Sequence, residues 1–172
     1  VSSGGIKILN TQNTLDDSSD DIWLLLSHPD TLPGGLNQDV YSLVFSKTEG
    51  QDVLWVMGNT GVQGYLVTGT NLTVIYPQNF YGNLGFTKGD GLKVDPQNNI
   101  WIITQHSGIR VIKANTERWP TEGGLTTENS ELLSNIVYDI AFDEVSGRAF
   151  IATEFGISIL HIPFAAEPQS ND

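Results

Sequence analysis

The 172-residue sequence contains no cysteine, and its eight basic residues are outnumbered by 20 acidic ones. Without cysteine the chain can form neither a disulfide nor a thiolate metal site. A net charge of −12 argues against nucleic acid as a partner, because phosphate backbones are bound by clustered lysine and arginine. Binding to an anionic membrane surface is disfavoured for the same reason. No apolar run approaches the roughly 20 residues of a membrane span, so membrane insertion is not expected.

Helical patterning is also missing, since apolar residues show no 3.6-residue period over more than about two turns. Instead, eighteen glycines and seven prolines separate short segments rich in β-branched and aromatic residues. This arrangement predicts an all-β fold.

One sequence motif, predicted to form three strands separated by two turns, is repeated along the chain. Its clearest copy occupies residues 91–112, a close copy occupies 137–160, and a looser copy occupies 40–62. The tail of another copy lies at 4–9. Glycines that mark the third strand are separated by 56, 47 and 48 residues, namely Gly5, Gly61, Gly108 and Gly156. A period of this length that carries only strands is typical of β-propeller blades.

The repeat divides the chain into a partial blade over 1–35, full blades over 36–85 and 86–131, a last blade over 132–163 and a linker over 164–172. These ranges supply about three four-stranded antiparallel blades, fewer than the roughly four that a closed propeller needs. The chain is therefore predicted to be the C-terminal part of a larger propeller. The last blade lacks an outer strand, and Ile22–Leu26, predicted to be a buried strand, is a candidate to fill that place. An uncovered blade face would pack against missing blades of a longer chain or against a second copy.

The last two copies fit a known repeat, V-x-x-I-x-x-D-x-x-G-x-I-W-I-G-T-x-x-G-I-x-x-L. The matching residues of the last copy are Val137, Ile140, Asp143, Gly147, Phe150, Ala152, Thr153, Gly156 and Leu160. Those of the central copy are Leu92, Asp95, Asn98, Ile100, Trp101, Thr104, Gly108, Ile109 and Ile112. The resemblance covers about 36–162 and is to the two-component regulator propeller repeat. The copy over 36–85 departs from it, since Ser46 stands where the repeat has aspartate.

This resemblance implies blades of the kind found in surface proteins that Bacteroidetes-like bacteria export by the type IX secretion system. The segment 156–165 is similar to the end of such propellers. We therefore expect a secreted or cell-surface module that binds a protein or glycan partner without catalysis. Similar repeats also form the periplasmic sensor halves of hybrid two-component receptors, and other propellers are lyases or hydrolases. These two functions remain as alternatives.

Few side chains in the sequence suggest a catalytic or ligand-binding role. His106 lies in a turn at one face of its blade, and Glu154 lies 48 residues further on, so the two could meet across neighbouring blades. Asn59 occupies the corresponding turn before Gly61. Trp119 is expected to be partly exposed. Tyr81, in a crossing loop with Phe80 and Phe86, could stack on a sugar. These five candidates for ligand binding are His106, Glu154, Asn59, Tyr81 and Trp119.

The acidic segment Asp16, Asp17, Asp20 and Asp21 is a weak candidate for Ca²⁺, which prefers oxygen ligands. It lacks the spacing of an EF-hand, so a charged loop is the alternative, and no cofactor is expected. Asp95 and Asp143 end strands before turns and are expected to accept hydrogen bonds from turn backbone N–H groups. Three tryptophans inside strands are predicted to lie in the core, namely Trp23, Trp55 and Trp101.

Overall fold

The computed structural model describes residues 5–27, 39–69, 71–81 and 83–163. In these residues every regular element is a β-strand, as predicted, and none is a helix. The thirteen described strands are β1 Gly5–Asn10, β2 Ile22–Ser27, β3 Val40–Thr48, β4 Gln51–Gly58, β5 Gly61–Thr68, β6 Asn71–Phe80, β7 Gly91–Val94, β8 Ile100–Ile103, β9 Ile109–Ile112, β10 Arg118–Trp119, β11 Val137–Asp143, β12 Arg148–Thr153 and β13 Gly156–His161. The predicted linker 164–172 lies outside the described residues. The described part of the chain holds no helix with the length and hydropathy of a transmembrane span.

Consecutive strands pair to form four antiparallel sheets. Their orders are β1-β2, β3-β4-β5-β6, β7-β8-β9-β10 and β11-β12-β13. Each sheet falls within one predicted blade, and the strand order within each sheet is that of a propeller blade. The residues group into two compact units, Val1–Leu43 with Val53–Thr87 and Val44–Asp52 with Lys88–Asp172.

The first unit contains a core formed by β1 and the sheet β3–β6. Leu54, Val56 and Tyr65 are its buried centre, with Ile8 and Leu72 among the residues packed against them. On the opposite face of the sheet from Leu54 and Val56, the ring of Trp55 is fully buried and stacks on Tyr76, with ring centroids 5.3 Å apart. The predicted core position of Trp55 is confirmed.

Two predictions about β2 are wrong. Ile22 and Trp23 are more than half exposed, at 55% and 62%, rather than buried. A two-stranded sheet packs on the core with one face only, and Trp23, which pairs with Leu9, lies on the other face, where Lys7 is 6.0 Å from its ring centroid. In addition, β2 pairs with β1 along its whole length and does not complete the last sheet.

The second unit is built by packing one face of the sheet β7–β10 against one face of the sheet β11–β13. The central sheet contributes Trp101, Ile103, Ile109 and Val111, and the last sheet contributes the residues of the opposite wall, including Val137, Ile140, Ala149 and Ile151. Trp101 is fully buried, as predicted. Because the two apolar sheet faces pack against each other, both are removed from water, and this burial is the main contribution to the stability of the unit.

The turn between β7 and β8 is organised by Asp95, whose side chain is buried. Its carboxylate accepts hydrogen bonds from the backbone N–H groups of Gln97 and Asn99, each at 2.9 Å. It also accepts one from Nε1 of Trp101 at 2.8 Å. The corresponding Asp143 accepts from the N–H groups of Val145 and Ser146. Both predicted turn roles are confirmed, and Asp95 additionally fixes the core tryptophan.

The segment that follows β10 crosses closely over β9. Ile109 and Leu125 exchange two backbone hydrogen bonds, and the N–H of Gly108 donates to the carbonyl of Asn135 at 2.9 Å. Gly108 has φ +74°, and a Cβ at this position would overlap the carbonyl oxygen of Leu125. Glycine is therefore required here both for its backbone conformation and for the space.

We expect Asp95→Ala to lower the free energy of unfolding by about 2–4 kcal/mol, because it leaves a buried indole N–H and a buried backbone N–H without their acceptor. Urea unfolding followed by tryptophan fluorescence measures this change. Asp143→Ala is the matched control, since its turn is more exposed, and should cost less. Equal losses in the two variants would contradict the role assigned to the Asp95–Trp101 bond.

Gly108→Ala is expected to destabilise the chain by about 2 kcal/mol or more, since strain at positive φ adds to the overlap with Leu125. Gly50→Ala isolates the strain, because Gly50 has φ +79° and nothing within 4 Å of its added Cβ. Thermal unfolding of both variants should place Gly108→Ala well below Gly50→Ala. Equal unfolding midpoints of the two variants would show that the segment around Leu125 shifts to accept the added methyl group without loss of stability.

The ion pair between Lys93 and Asp139, 2.9 Å long, should make stability depend on acid pH. The hydrogen bond from Lys93 lowers the pKa of Asp139 below its ordinary value of 3.8. The stabilisation is thus present above about pH 4 and is lost as pH falls through the lowered pKa. Lys93→Gln should cost less than about 1 kcal/mol at pH 7, since the pair is half exposed, and nothing at pH 2.

Lys88→Gln serves as the control for charge removal, because Lys88 forms no ion pair among the described residues. Chemical unfolding at pH 7 and pH 2 gives both differences. A cost of Lys93→Gln that persists at pH 2 would show that Lys93 stabilises the chain by packing rather than by its charge.

Candidate functional site

The five predicted ligand-binding residues are divided between the two units, with Asn59 and Tyr81 in the first and His106, Trp119 and Glu154 in the second. His106 is half exposed between β8 and β9, and its Nδ1 lies 3.9 Å from Oδ1 of the buried Asp90. Glu154 is exposed between β12 and β13, where its Oε2 accepts a hydrogen bond from Ser134 Oγ at 3.4 Å. No hydrogen bond or ion pair joins His106 to Glu154 among the described residues, so the predicted pair is not assembled. Sequence spacing placed them on neighbouring sheets but could not set the direction of their side chains.

The three remaining candidates are Tyr81, Asn59 and Trp119, and they differ in exposure. Tyr81 is only 4% exposed, so the prediction that its ring stacks on a sugar is wrong. Phe80 and Phe86 are buried as well. Asn59 is half buried in the turn between β4 and β5, and its N–H donates to the carbonyl of Asp39 at 3.3 Å. Trp119 is partly exposed, as predicted, with its ring 6.3 Å from Trp101.

The acidic segment before β2 forms hydrogen bonds within its own loop. The Asp17 carboxylate accepts from Ser19 Oγ and N–H, and these two bonds lower the pKa of Asp17. Asp20 accepts from Thr14 Oγ1 at 2.9 Å. Within the described ranges, no three acidic or histidine side chains lie close enough to hold a metal ion. Asp16, Asp17, Asp20 and Asp21 therefore gain no support as Ca²⁺ ligands.

The most distinctive surface of the described chain is the uncovered face of the last sheet. Strand register places the residues of this face in two rows, Asp139–Ala152–Ile157 and Ala141–Phe150–Ile159. Ile157 and Ile159 are 66% and 61% exposed, and Phe150 is 37% exposed. We call these six residues the open face. The opposite face of the same strands, with Ile140, Ala149 and Ile151, is buried against the central sheet.

The open face has a shallow apolar centre and charged ends. A depression of about 210 Å³ is lined by Asp139, Ile140, Ala141, Phe150, Ala152 and Ile157. Beyond the second row, register brings Asp143, Arg148 and His161 side by side. Hydrogen bonds from Ser146, with smaller contributions from Val145 and the charge of Arg148, lower the pKa of Asp143, so this carboxylate is ionised at neutral pH. An apolar centre with a polar rim is the composition of a protein-binding surface.

Phe150, Ile157 and Ile159 are not among the predicted site residues, although the repeat contains the signal for them. Thr104 and Thr153 make the same bond, each donating Oγ1 to the carbonyl of the next repeat glycine. This equivalence aligns Phe150 with Trp101. Trp101 is fully buried by the neighbouring sheet, whereas Phe150 has no such cover. The signal for the open face is thus the difference in cover between equivalent positions of adjacent repeats.

No protein-family model matches the chain, and no curated protein does. Among solved structures, the chain is similar to PorZ of Porphyromonas gingivalis, described as an essential bacterial surface component of the type-IX secretion system. The TM-score is 0.62 at 19% sequence identity, and the match covers 91% of this chain and 22% of that chain. The chain thus has an all-β fold in common with part of a type IX secretion surface component, while its membership of the two-component regulator propeller family stays a prediction.

Proposed function

We propose that this chain is a non-catalytic, extracellular part of a β-propeller and that it binds a partner protein through the open face. The observation that carries the proposal is the exposure of Phe150, Ile157 and Ile159, at positions whose equivalents in the central sheet are buried by a neighbouring sheet. An uncovered apolar surface of this kind marks a contact surface for protein, which is a separate partner in this proposal and other blades of a longer propeller in the alternative.

A protein partner fits the open face better than a glycan does. Sugar recognition relies on exposed aromatic faces combined with hydrogen-bonding groups. The aromatic residues predicted for that role are buried, namely Phe80, Tyr81 and Phe86. The open face combines aliphatic side chains with one aromatic ring, that of Phe150, and its one carboxylate, Asp139, is paired with Lys93. Apolar burial is the usual driving force of protein association.

The extracellular assignment draws on the similarity to a surface component of the type-IX secretion system. Two observations support the proposal that the sheets belong to a larger propeller. Their strand order is that of propeller blades, and the match covers only 22% of the PorZ chain. The non-catalytic assignment is supported by the separate surroundings of the two side chains, because general acid–base catalysis needs side chains that converge on one point. His106 Nδ1 lies 3.9 Å from Asp90 Oδ1, whereas Glu154 accepts a hydrogen bond from Ser134.

Site-specific photo-cross-linking on intact cells tests the proposal. The protein that carries this chain would be produced in its source bacterium with p-benzoylphenylalanine at position 159, in the open face. Position 145 is the matched control, since Val145 is an exposed apolar residue of the same sheet, 77% exposed, in the β11–β12 turn. We expect a discrete cross-linked product from position 159 and none from position 145.

A second variant tests the apolar character of the contact. Adding Ile157→Glu to the position-159 protein should abolish the product, because a buried carboxylate would face the partner without compensation. Products of equal yield from both positions, or a product that survives Ile157→Glu, would show that the open face is not the binding surface.

A further inference from the structure

The turn between β12 and β13 presents an exposed aromatic side chain at one end of the last sheet. Phe155, in this turn, is 71% exposed. Leu133, in the segment that enters the last sheet, is 48% exposed, and its Cδ1 lies 3.6 Å from the position that a Cβ on Gly156 would take. We call Leu133 and Phe155, together with the neighbouring Glu131 and Glu154, the turn patch. None of these four residues is part of the open face.

Three hydrogen bonds hold the two parts of the turn patch together. The N–H of Leu133 donates to Ser158 Oγ at 3.0 Å, and Ser134 Oγ donates to Glu154 Oε2 at 3.4 Å. The N–H of Glu154 also donates to the carbonyl of Ile136, at 3.1 Å. The patch therefore has a defined shape before a partner binds, which lowers the entropy cost of binding.

The repeat indicates that a turn at this position stays exposed when a further sheet is present. The equivalent turn of the central sheet lies between β8 and β9 and contains Gln105 and His106. Here the last sheet packs on the central sheet, and the segment between them contacts the turn, since the N–H of Gly108 donates to the carbonyl of Asn135. Gln105 and His106 are nevertheless exposed. By this pattern, a sheet packed on the open face leaves the tip of the β12–β13 turn in water.

The charge around the turn patch has one sign. The segment 121–136 and the turn residues 154–155 contain four glutamates and neither lysine nor arginine. In the part of the chain that the structure describes, Glu131 and Glu154 form no ion pair. Arg148, the one arginine of the last sheet, begins β12 and so lies at the opposite end of that strand. Exposed apolar side chains beside unpaired carboxylates are complementary to a segment with positive charge.

We infer that the turn patch binds a basic segment of a partner protein, in which an arginine or lysine stands next to a large apolar residue. The cation lies over the exposed ring of Phe155 and pairs with Glu154 or Glu131, because cations bind to aromatic faces as well as to carboxylates. The apolar residue beside it contacts Leu133. This surface is additional to the open face, and its binding does not require the function proposed above.

A second copy of this chain fits the turn patch less well than a basic partner does. Each copy carries a net charge of −12, so association through this patch brings like charges together. Four of the eight basic residues of the chain are already held in ion pairs with its own carboxylates, namely Lys47, Lys93, Lys113 and Arg118. The chain thus has few cations to offer to the patch of another copy.

Photo-cross-linking from the turn tests this inference in the whole protein that carries the chain. p-Benzoylphenylalanine at position 155 keeps an aromatic ring in the turn, and the cross-linked peptides from intact cells of the source bacterium would be sequenced by mass spectrometry. We expect a discrete product in which the captured segment belongs to another protein and contains an arginine or lysine within a few residues of the cross-link.

Charge variants test the role of the carboxylates. Glu131→Gln combined with Glu154→Gln should lower the yield of the position-155 product at least about fivefold, because it removes both charges that pair with the partner. Glutamine at position 154 keeps a side-chain oxygen for Ser134. The matched control combines Glu49→Gln with Glu144→Gln, which removes two exposed charges from other turns, and it should leave the yield unchanged.

A second probe position tests the aromatic ring. With p-benzoylphenylalanine at position 133, Phe155→Ala should lower the yield of the cross-linked product at least about fivefold, since an exposed aromatic anchor is lost. Phe155→Tyr retains the ring face and should retain the product. A yield that is equal in the alanine and tyrosine variants would contradict the role assigned to Phe155.

The remaining outcomes discriminate among the occupants. A cross-link to another part of the same polypeptide, or to a second copy, overturns binding of a separate partner. An acidic captured segment, an unchanged yield after both glutamine substitutions, or no product from either position overturns the inference as well. Loss of the position-159 product with the position-155 product intact removes the open-face function alone, and the reverse result removes the turn patch alone.

Discussion

The carboxylate of Asp95 joins two levels of this structure, because it accepts hydrogen bonds from its own turn and from the indole of Trp101 on the next strand. The turn sets the register between β7 and β8, and the indole bond orients the largest side chain of the face that packs on the last sheet. A buried carboxylate is tolerated only when its lone pairs are occupied, and here four donor groups reach it, the N–H groups of Gln97 and Asn99, the Asn99 side-chain amide and the Trp101 indole. Packing between the two sheets of the second unit thus depends on a polar contact at the strand end.

The strands were predictable from sequence because each carries its own local signal, with β-branched segments between turn residues. All thirteen described strands fall within the predicted blade ranges, and the turn roles of Asp95 and Asp143 follow from residue type alone. Burial was less predictable, since it depends on what lies across each face. Trp23 and Trp101 have similar neighbours in sequence, yet only Trp101 has a sheet packed over it.

Side-chain sites were predicted least well, for a related reason. His106 and Glu154 share a position in the repeat, but each has a different polar neighbour, Asp90 in one case and Ser134 in the other. Tyr81 lies in a loop, which suggests exposure, but its ring is directed inward and is 4% exposed. Spacing fixes where a backbone position falls in a repeating fold, whereas orientation depends on contacts that differ from one repeat to the next. The differences between repeats, rather than their shared motif, mark the open face.

Each described sheet consists of strands that are consecutive in sequence and joined to their neighbours antiparallel. Such local pairing gives a low contact order within a sheet, so each sheet can form soon after its own strands have been synthesised. The sheets pack against one another later than this. Because synthesis runs from the N-terminus, the last sheet is made after the other described sheets. During that interval its apolar residues have no cover, and the net charge of −12 supplies the repulsion that opposes aggregation. The acidic composition would then protect the chain during folding, independently of any partner it selects.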